Sequence, residues 1–219
     1  MDKFIRLTAT ACPFDVANLN TDQLLPARFL KLPRSAGLGA VLLHDLRFDA
    51  DGRERPDFPL NQPAWCDAKI VVGARNFGCG SSREAAVYAL LDYGIRCVIA
   101  PSFGDIFGGN AVENGLLTAT VSEAEVASLM RLLGEEPRLP VTIDLEQQTI
   151  KYSDKAFGFV IDPVRRTRLL NGWDSLALTA SYMDKIAAFK TADRARRPWA
   201  LPSCNAVRDG SGDRLNDAG

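Results

Sequence analysis

Apolar and polar positions alternate over residues 4–10, Phe-Ile-Arg-Leu-Thr-Ala-Thr, as in a half-buried strand, and the run breaks at Cys12-Pro13. Asn18, Asn20, Thr21 and Asp22, whose side chains bond nearby backbone groups, then suit a turn or helix entry before Leu24-Leu25, and residues 33–39 read as a second loop. Residues 40–48 are apolar enough for a short buried helix, and residues 49–63 collect Asp, Gly, Asn and Pro in a long irregular stretch. From Lys69 the pattern changes. Ile70-Val71-Val72-Gly73 and Arg96-Cys97-Val98-Ile99-Ala100 are apolar runs of the kind buried strands show, residues 82–93 between them are helical, and the three predict a βαβ unit. A weaker helix at residues 102–114, ended by Gly115, and a strand at residues 116–121 extend the parallel sheet through a second crossover.

The pattern then alters again. Ser122 with Glu125 three residues on forms a capping signal, and Val126, Leu129, Met130 and Leu133 make the apolar stripe of the helix that follows. Residues 141–145, 149–152 and 157–161 are strand-like with short polar connections, which predicts antiparallel hairpins. Residues 163–170 read as a helix stopped at Asn171-Gly172, and residues 181–190 as a last amphipathic helix. The expected fold is α/β, with a largely parallel central sheet and an added antiparallel layer, in one domain over residues 1–190. From Thr191 Arg, Asp, Gly and Asn dominate, and residues 191–219 are expected to be a disordered tail.

Composition narrows the partners. The 219 residues carry 26 basic and 27 acidic side chains, which gives no broad positive field and argues against nucleic acid. The longest apolar stretches fall far short of a membrane span, and Met1-Asp2-Lys3-Phe4 leads straight into strand pattern, so the expectation is a cytoplasmic chain with no membrane role. Five scattered cysteines with no C-x-x-C pair match neither a disulfide framework nor a metal-ligand set, so no metal is expected on this chain. His44, the single histidine, limits any mechanism that needs a histidine base.

Chemistry concentrates in residues 76–84, Asn-Phe-Gly-Cys-Gly-Ser-Ser-Arg-Glu, between the first strand of the βαβ unit and its helix. Ligands bind at that edge of open α/β sheets. Two glycines permit close backbone approach, the helix start presents N–H groups to an anion, and Arg83 adds a forked cation suited to a carboxylate. A plainer reading makes Ser81 and Glu84 a capping box. The loop is not a P-loop, a G-x-G-x-x-G fingerprint or a G-x-S-x-G elbow. Cys79 reads as a small loop residue, His44 as packed or surface-exposed, and the Arg165-Arg166 pair as solvated, although it could reach the cleft.

The segment Gly78-Cys79-Gly80-Ser81-Ser82-Arg83-Glu84 resembles the Gly-x-Gly-Ser-Ser-Arg-Glu signature of the swivel domain of the aconitase superfamily. Three more segments resemble isopropylmalate dehydratase small subunits in the same order: Asn20-Thr21-Asp22 with Leu24-Leu25-Pro26, the run Ala100-Pro101-Ser102-Phe103-Gly104-Asp105-Ile106-Phe107-Gly108-Gly109-Asn110, and Asn171-Gly172-Trp173-Asp174-Ser175. The likeness covers residues 4–190. It implies a swivel-type β/β/α domain acting with a large subunit that holds a [4Fe–4S] cluster, with no cofactor on this chain and a small dicarboxylate as substrate. The implied reaction isomerises 2-isopropylmalate to 3-isopropylmalate through isopropylmaleate, a step of leucine biosynthesis. By match to the signature, Ser81 is the base, as an alkoxide. Arg83 binds a substrate carboxylate, Ser82 gives a hydrogen bond or helix cap, Thr21 and Asp22 line the same cleft, and Arg34 lies in the loop that discriminates the substrate's side group. Relatives often carry histidine where this chain has Ala85 and Thr167, which leaves open another 2-hydroxy diacid as substrate (citramalate, dimethylmalate or homoaconitate); the other alternative is a non-catalytic anion-binding module, in which residues 78–83 merely hold a carboxylate or phosphate.

Overall fold

Residues 70–73 and 97–100 are buried throughout, as strands covered on both faces must be. The computed structural model describes residues 1–200. In chain order the elements of residues 1–178 are β1 (Arg6–Phe14), α1 (Thr21–Leu24), α2 (His44–Arg47), β2 (Ile70–Gly73), α3 (Glu84–Tyr93), β3 (Cys97–Ala100), α4 (Asp105–Glu113), β4 (Leu117–Thr120), α5 (Glu123–Glu135), β5 (Pro140–Asp144), β6 (Thr149–Tyr152), β7 (Lys155–Gly158), α6 (Pro163–Asn171) and the first part of α7 (Ser175–Ala180). They form one compact unit. A second begins at Thr179 and contains α8 (Met183–Arg196) and a 3-10 turn at Pro198–Ala200. The predicted last helix therefore continues past Lys190 into the stretch expected to be a tail, and residues 201–219 lie outside those described.

Seven strands make one sheet in the order β4-β3-β2-β1-β5-β6-β7. The pairs from β1 to β4 are parallel, and those from β1 through β5 and β6 to β7 are antiparallel. The hinge between the two halves is β1: Arg6–Thr10 pair with β5, while residues 11–14 pair with β2. That exchange explains why the strand does not stop at Cys12-Pro13 as its sequence suggests. Past Thr10, β1 has a strand partner on one side only, so a proline at 13, opposite Val72, leaves a free flank where its missing N–H is not needed. The predicted last strand is also displaced. β7 covers residues 155–158, and Val160 instead exchanges hydrogen bonds with Thr120 at 2.9 and 3.2 Å, so the curled sheet brings the two edges together.

Alternate residues of the parallel strands feed two cores. Cys12, Val71, Val98 and Ala100 pack with Val87 and Leu90 of α3 and Phe107 of α4. Ala11, Ile70, Val72, Cys97 and Ile99 pack with Val126, Leu129 and Leu133 of α5 and with Val141, Ile143 and Ile150 of β5 and β6. The α5 stripe and its Ser122 cap are as the sequence predicts: Ser122 Oγ accepts from the Glu125 amide and donates to its carboxylate. The helix expected at residues 40–48 resolves into a 3-10 turn at Gly39–Val41 and the single turn of α2, separated by Leu43 in the left-handed region.

Candidate active site

The carboxyl ends of β1, β2 and β3 each release a loop, and the three loops are stitched edge to edge. Asn20 caps α1 reciprocally with Gln23, making a one-turn helix whose first two residues are Thr21 and Asp22. The Thr21 amide donates to the Cys79 carbonyl at 2.9 Å, its Oγ1 donates to the Ser81 carbonyl at 2.8 Å, and the Gly78 amide donates to the Leu19 carbonyl at 2.7 Å. Asn76 Nδ2 donates to Asn18 Oδ1 at 2.9 Å, and the Cys79 thiol to the Asn18 carbonyl at 3.3 Å. On the other flank the Phe77 amide donates to the Ser102 carbonyl and the Gly104 amide to the Phe77 carbonyl.

The loop rests on three rings, Phe77, Phe103 and Phe107, with centroids 5.6 to 6.4 Å apart. Gly78 is required here twice over. Its φ is +71°, and a Cβ would stand 2.3 Å from the Phe107 ring. Gly104 is held by the same contact from the other side, since a Cβ there would be 2.6 Å from the Gly78 carbonyl oxygen. Asn76 and Phe77 open the loop marked in the sequence and Asn18 falls in the expected turn, but none of these rings or asparagines was given a part in supporting the site. Nothing in a lone Phe or Asn marks it as loop support without the fold, although Phe103 and Phe107 do stand within a segment that carries the resemblance.

On this base stand the residues expected to act. Thr21 is buried, and Ser81 and Ser82 are exposed at the rim. Arg83, mostly buried, forms an ion pair with the half-exposed Asp22. The buried Arg83 Nη1 lacks the alignment of a directed hydrogen bond, so the contact is chiefly electrostatic. Asp22 is thus held against Arg83. The capping-box reading of Ser81 and Glu84 is not realised. α3 starts at Glu84 with Arg83 as an N-cap that makes no side-chain bond, and the Glu84 carboxylate turns away to accept from Asn114 Nδ2 at 2.8 Å. The first N–H groups of α3 are thus left without a side-chain cap, next to Ser82 and Arg83.

Arg34 is exposed on a 3-10 turn, with its guanidinium carbon 3.5 Å from the Tyr88 ring centroid on α3. The structure thus gathers Thr21, Asp22, Ser81, Ser82 and Arg83 around one loop and sets Arg34 against the helix that continues it. His44 is elsewhere, between the rings of Phe29 and Phe48 and beside Asp45. Arg166 donates to the carbonyls of Leu145 and Glu146, while Arg165 lines a cleft of about 290 Å³ with Ser102 and Thr118. Burial pushes the Cys12 thiol up to about 12 and the Cys97 thiol well above its ordinary value, so both stay protonated and unfit as ligands or nucleophiles. Among the described residues no group of three or more His, Cys, Asp or Glu is disposed to hold a metal ion.

Residues 1–124 match the aconitase C-terminal domain family. The 3-isopropylmalate dehydratase small subunit of Rhodospirillum centenum is 48% identical over 202 residues, covering 92% of this chain and 100% of that one. Its counterpart in Dinoroseobacter shibae is 46% identical over 200 residues, covering 91% and 100%. The chain belongs to the 3-isopropylmalate dehydratase small subunits. A crystal structure of 3-isopropylmalate dehydratase from Methanocaldococcus jannaschii superposes with a TM-score of 0.61 at 24% identity, covering 85% of this chain and 99% of that one, and so shares the fold. The swivel-type α/β fold and the class of hydro-lyase small subunit in leucine biosynthesis, both implied by the four motif segments, stand on these relatives.

Proposed function

We propose that this chain supplies the base and the carboxylate anchors of a two-subunit hydro-lyase that isomerises 2-isopropylmalate to 3-isopropylmalate in the cytoplasm. Its partner is a large subunit bearing a [4Fe–4S] cluster, with no part for nucleic acid or membrane; no described helix is long and apolar enough to cross one. The observation that carries the reading is the convergence at one sheet edge of Ser81, an Asp22-oriented Arg83 and the uncapped start of α3.

Ser81 takes the proton from the carbon next to a carboxylate, the hydroxyl on the neighbouring carbon leaves, and the electron pair of the broken C–H bond becomes the double bond of isopropylmaleate. Water then returns with the opposite regiochemistry, Ser81 giving its proton back to carbon. The partner's cluster would supply a Lewis acid for the departing hydroxyl. Arg83 holds one carboxylate through paired N–H donors, Ser82 donates a hydrogen bond beside it, and Thr21 fixes the Ser81 backbone through the carbonyl contact. A serine hydroxyl ionises far above neutral pH, and an exposed one gains little from nearby charge in water. Ser81 therefore becomes a base only when the partner covers the loop and excludes solvent, which makes this chain inactive alone.

The test is turnover, followed as absorbance of the unsaturated intermediate, with this chain and a cluster-loaded large subunit mixed anaerobically and given 2-isopropylmalate or citramalate. Ser81→Ala should lower kcat by about 10²–10⁴-fold while leaving assembly intact. Unchanged turnover would remove Ser81 from the mechanism, and turnover of citramalate alone would keep the chemistry and change the substrate.

A further inference from the structure

A guanidinium whose carbon lies 3.5 Å from a ring centroid must lie nearly flat on that ring, because an edge-on group would drive a nitrogen into it. Stacked this way, Arg34 turns its rim of N–H donors sideways, and such a fork fits a carboxylate rather than an alkyl group. The ring beneath it is itself held. Tyr88 follows Glu84 by one turn of α3, ~6 Å along the axis, and its half-buried ring packs on the core beside that helix. Glu84, at the start of the same helix, is anchored by Asn114 Nδ2 at the end of α4. The loop that carries Arg34 is fastened to the same helix further along: the Leu38 amide donates to Asp92 Oδ2 at 2.9 Å, and Gly39 lies so close to the backbone of Asp92 and Tyr93 that a Cβ would stand about 2.5 Å from it.

We propose that Tyr88 is a positioning residue that holds Arg34 as a second carboxylate-binding cation, against the helix whose start carries Arg83. The inference rests on the proposed function above and deepens it, since it names what orders a second anchor for the diacid beside the helix that Arg83 begins. An arginine on an exposed 3-10 turn otherwise samples many rotamers and must be ordered when substrate arrives. The ring does that ordering in advance, so its effect belongs in substrate affinity and not in the proton transfer.

The experiment is a set of variants in the reconstituted two-subunit enzyme, with KM and kcat for 2-isopropylmalate measured separately and assembly checked by size-exclusion chromatography. Tyr88→Leu should raise KM by about two- to fivefold, the range of an exposed cation–π contact, with kcat nearly kept. Tyr88→Phe, which retains the ring, should restore most of the affinity. Tyr88→Leu combined with Arg34→Ala should be no worse than Arg34→Ala alone, because both remove the same grip. A raised KM in Arg34→Ala with none in Tyr88→Leu overturns the positioning role and leaves the function standing. An unchanged KM in Arg34→Ala removes Arg34 from substrate binding and the inference with it. Equal loss of assembly and kcat in the Leu and Phe variants would make Tyr88 structural only and overturn the proposal.

Discussion

At the scale of single residues the site depends on places where a side chain would not fit. Gly78 sits at positive φ with its absent Cβ aimed at the Phe107 ring, and its carbonyl oxygen in turn excludes a Cβ from Gly104. Gly78→Ala must therefore strain the backbone and displace a ring that two other phenylalanines hold. Denaturant unfolding of the free chain should show a loss of about 2–6 kcal/mol, the sum of a positive-φ penalty and overpacking of about 1–3 kcal/mol each. A variant as stable as the natural chain would mean that the three-loop seam relaxes easily and cannot be what holds Ser81. Gly80, at φ +95°, differs: its absent Cβ meets nothing nearer than 3.4 Å, so backbone conformation alone is at stake there.

At the scale of elements, α4 is tied to α6 and to the Asn171–Ser175 motif by one carboxylate. Glu113 accepts from Arg168 Nη1 at 2.5 Å and from Ser175 Oγ at 2.8 Å. The Arg168 hydrogen bond, opposed by partial burial and aided by Ser175, holds the Glu113 carboxyl below its ordinary value of 4.5. A lowered folded pKa means that its stabilisation is fully present above the unfolded pKa and is lost as pH falls through the folded one. The melting temperature of Glu113→Gln should therefore lie below that of the natural chain near neutral pH, and the gap should close below about pH 4.5. A gap that persists undiminished in acid would show that the carboxylate's charge is not what joins the elements.

Elements of this kind also mark how far the sequence could be read. The βαβ unit, the capped α5 and the hairpins from β5 onward follow from periodicity, because each buries a face whose spacing is written locally. The passage of β1 through Cys12-Pro13 is not local. It depends on which neighbour flanks the strand, and that is set by β2 and β5, residues far along the chain. Likewise Ser81, Arg83, Thr21 and Asp22 were legible through their motif segments, while the Asn18–Asn76 bond and the Arg34–Tyr88 stack join residues far apart in sequence. Such tertiary pairs leave no period to detect. The capping-box reading failed for a related reason: Glu84 found Asn114, a partner on another helix, before it could bond its own helix start.

At the scale of the molecule, the parallel strands present their carboxyl ends, and with them Ser81, Ser82 and Arg83, along one edge, where a partner must close over them if the proposed chemistry is to run. This has a consequence that needs no assay of turnover. The loop splits into a stitched half and a free half. The Gly78 and Phe77 amides are bonded to neighbouring loops, whereas Ser81 and Ser82 stand exposed before a helix start with no side-chain cap. In the isolated chain, hydrogen exchange should be slow at residues 77–78 and fast at residues 81–85. Docking of the large subunit over this edge should slow residues 81–85 by at least about tenfold and leave residues 77–78 nearly unchanged, since those amides are already bonded. If residues 81–85 exchange as fast in the assembled enzyme as in the free chain, the partner covers another face. Ser81 would then remain in water, where no arrangement of Arg83 and α3 could make its hydroxyl a base.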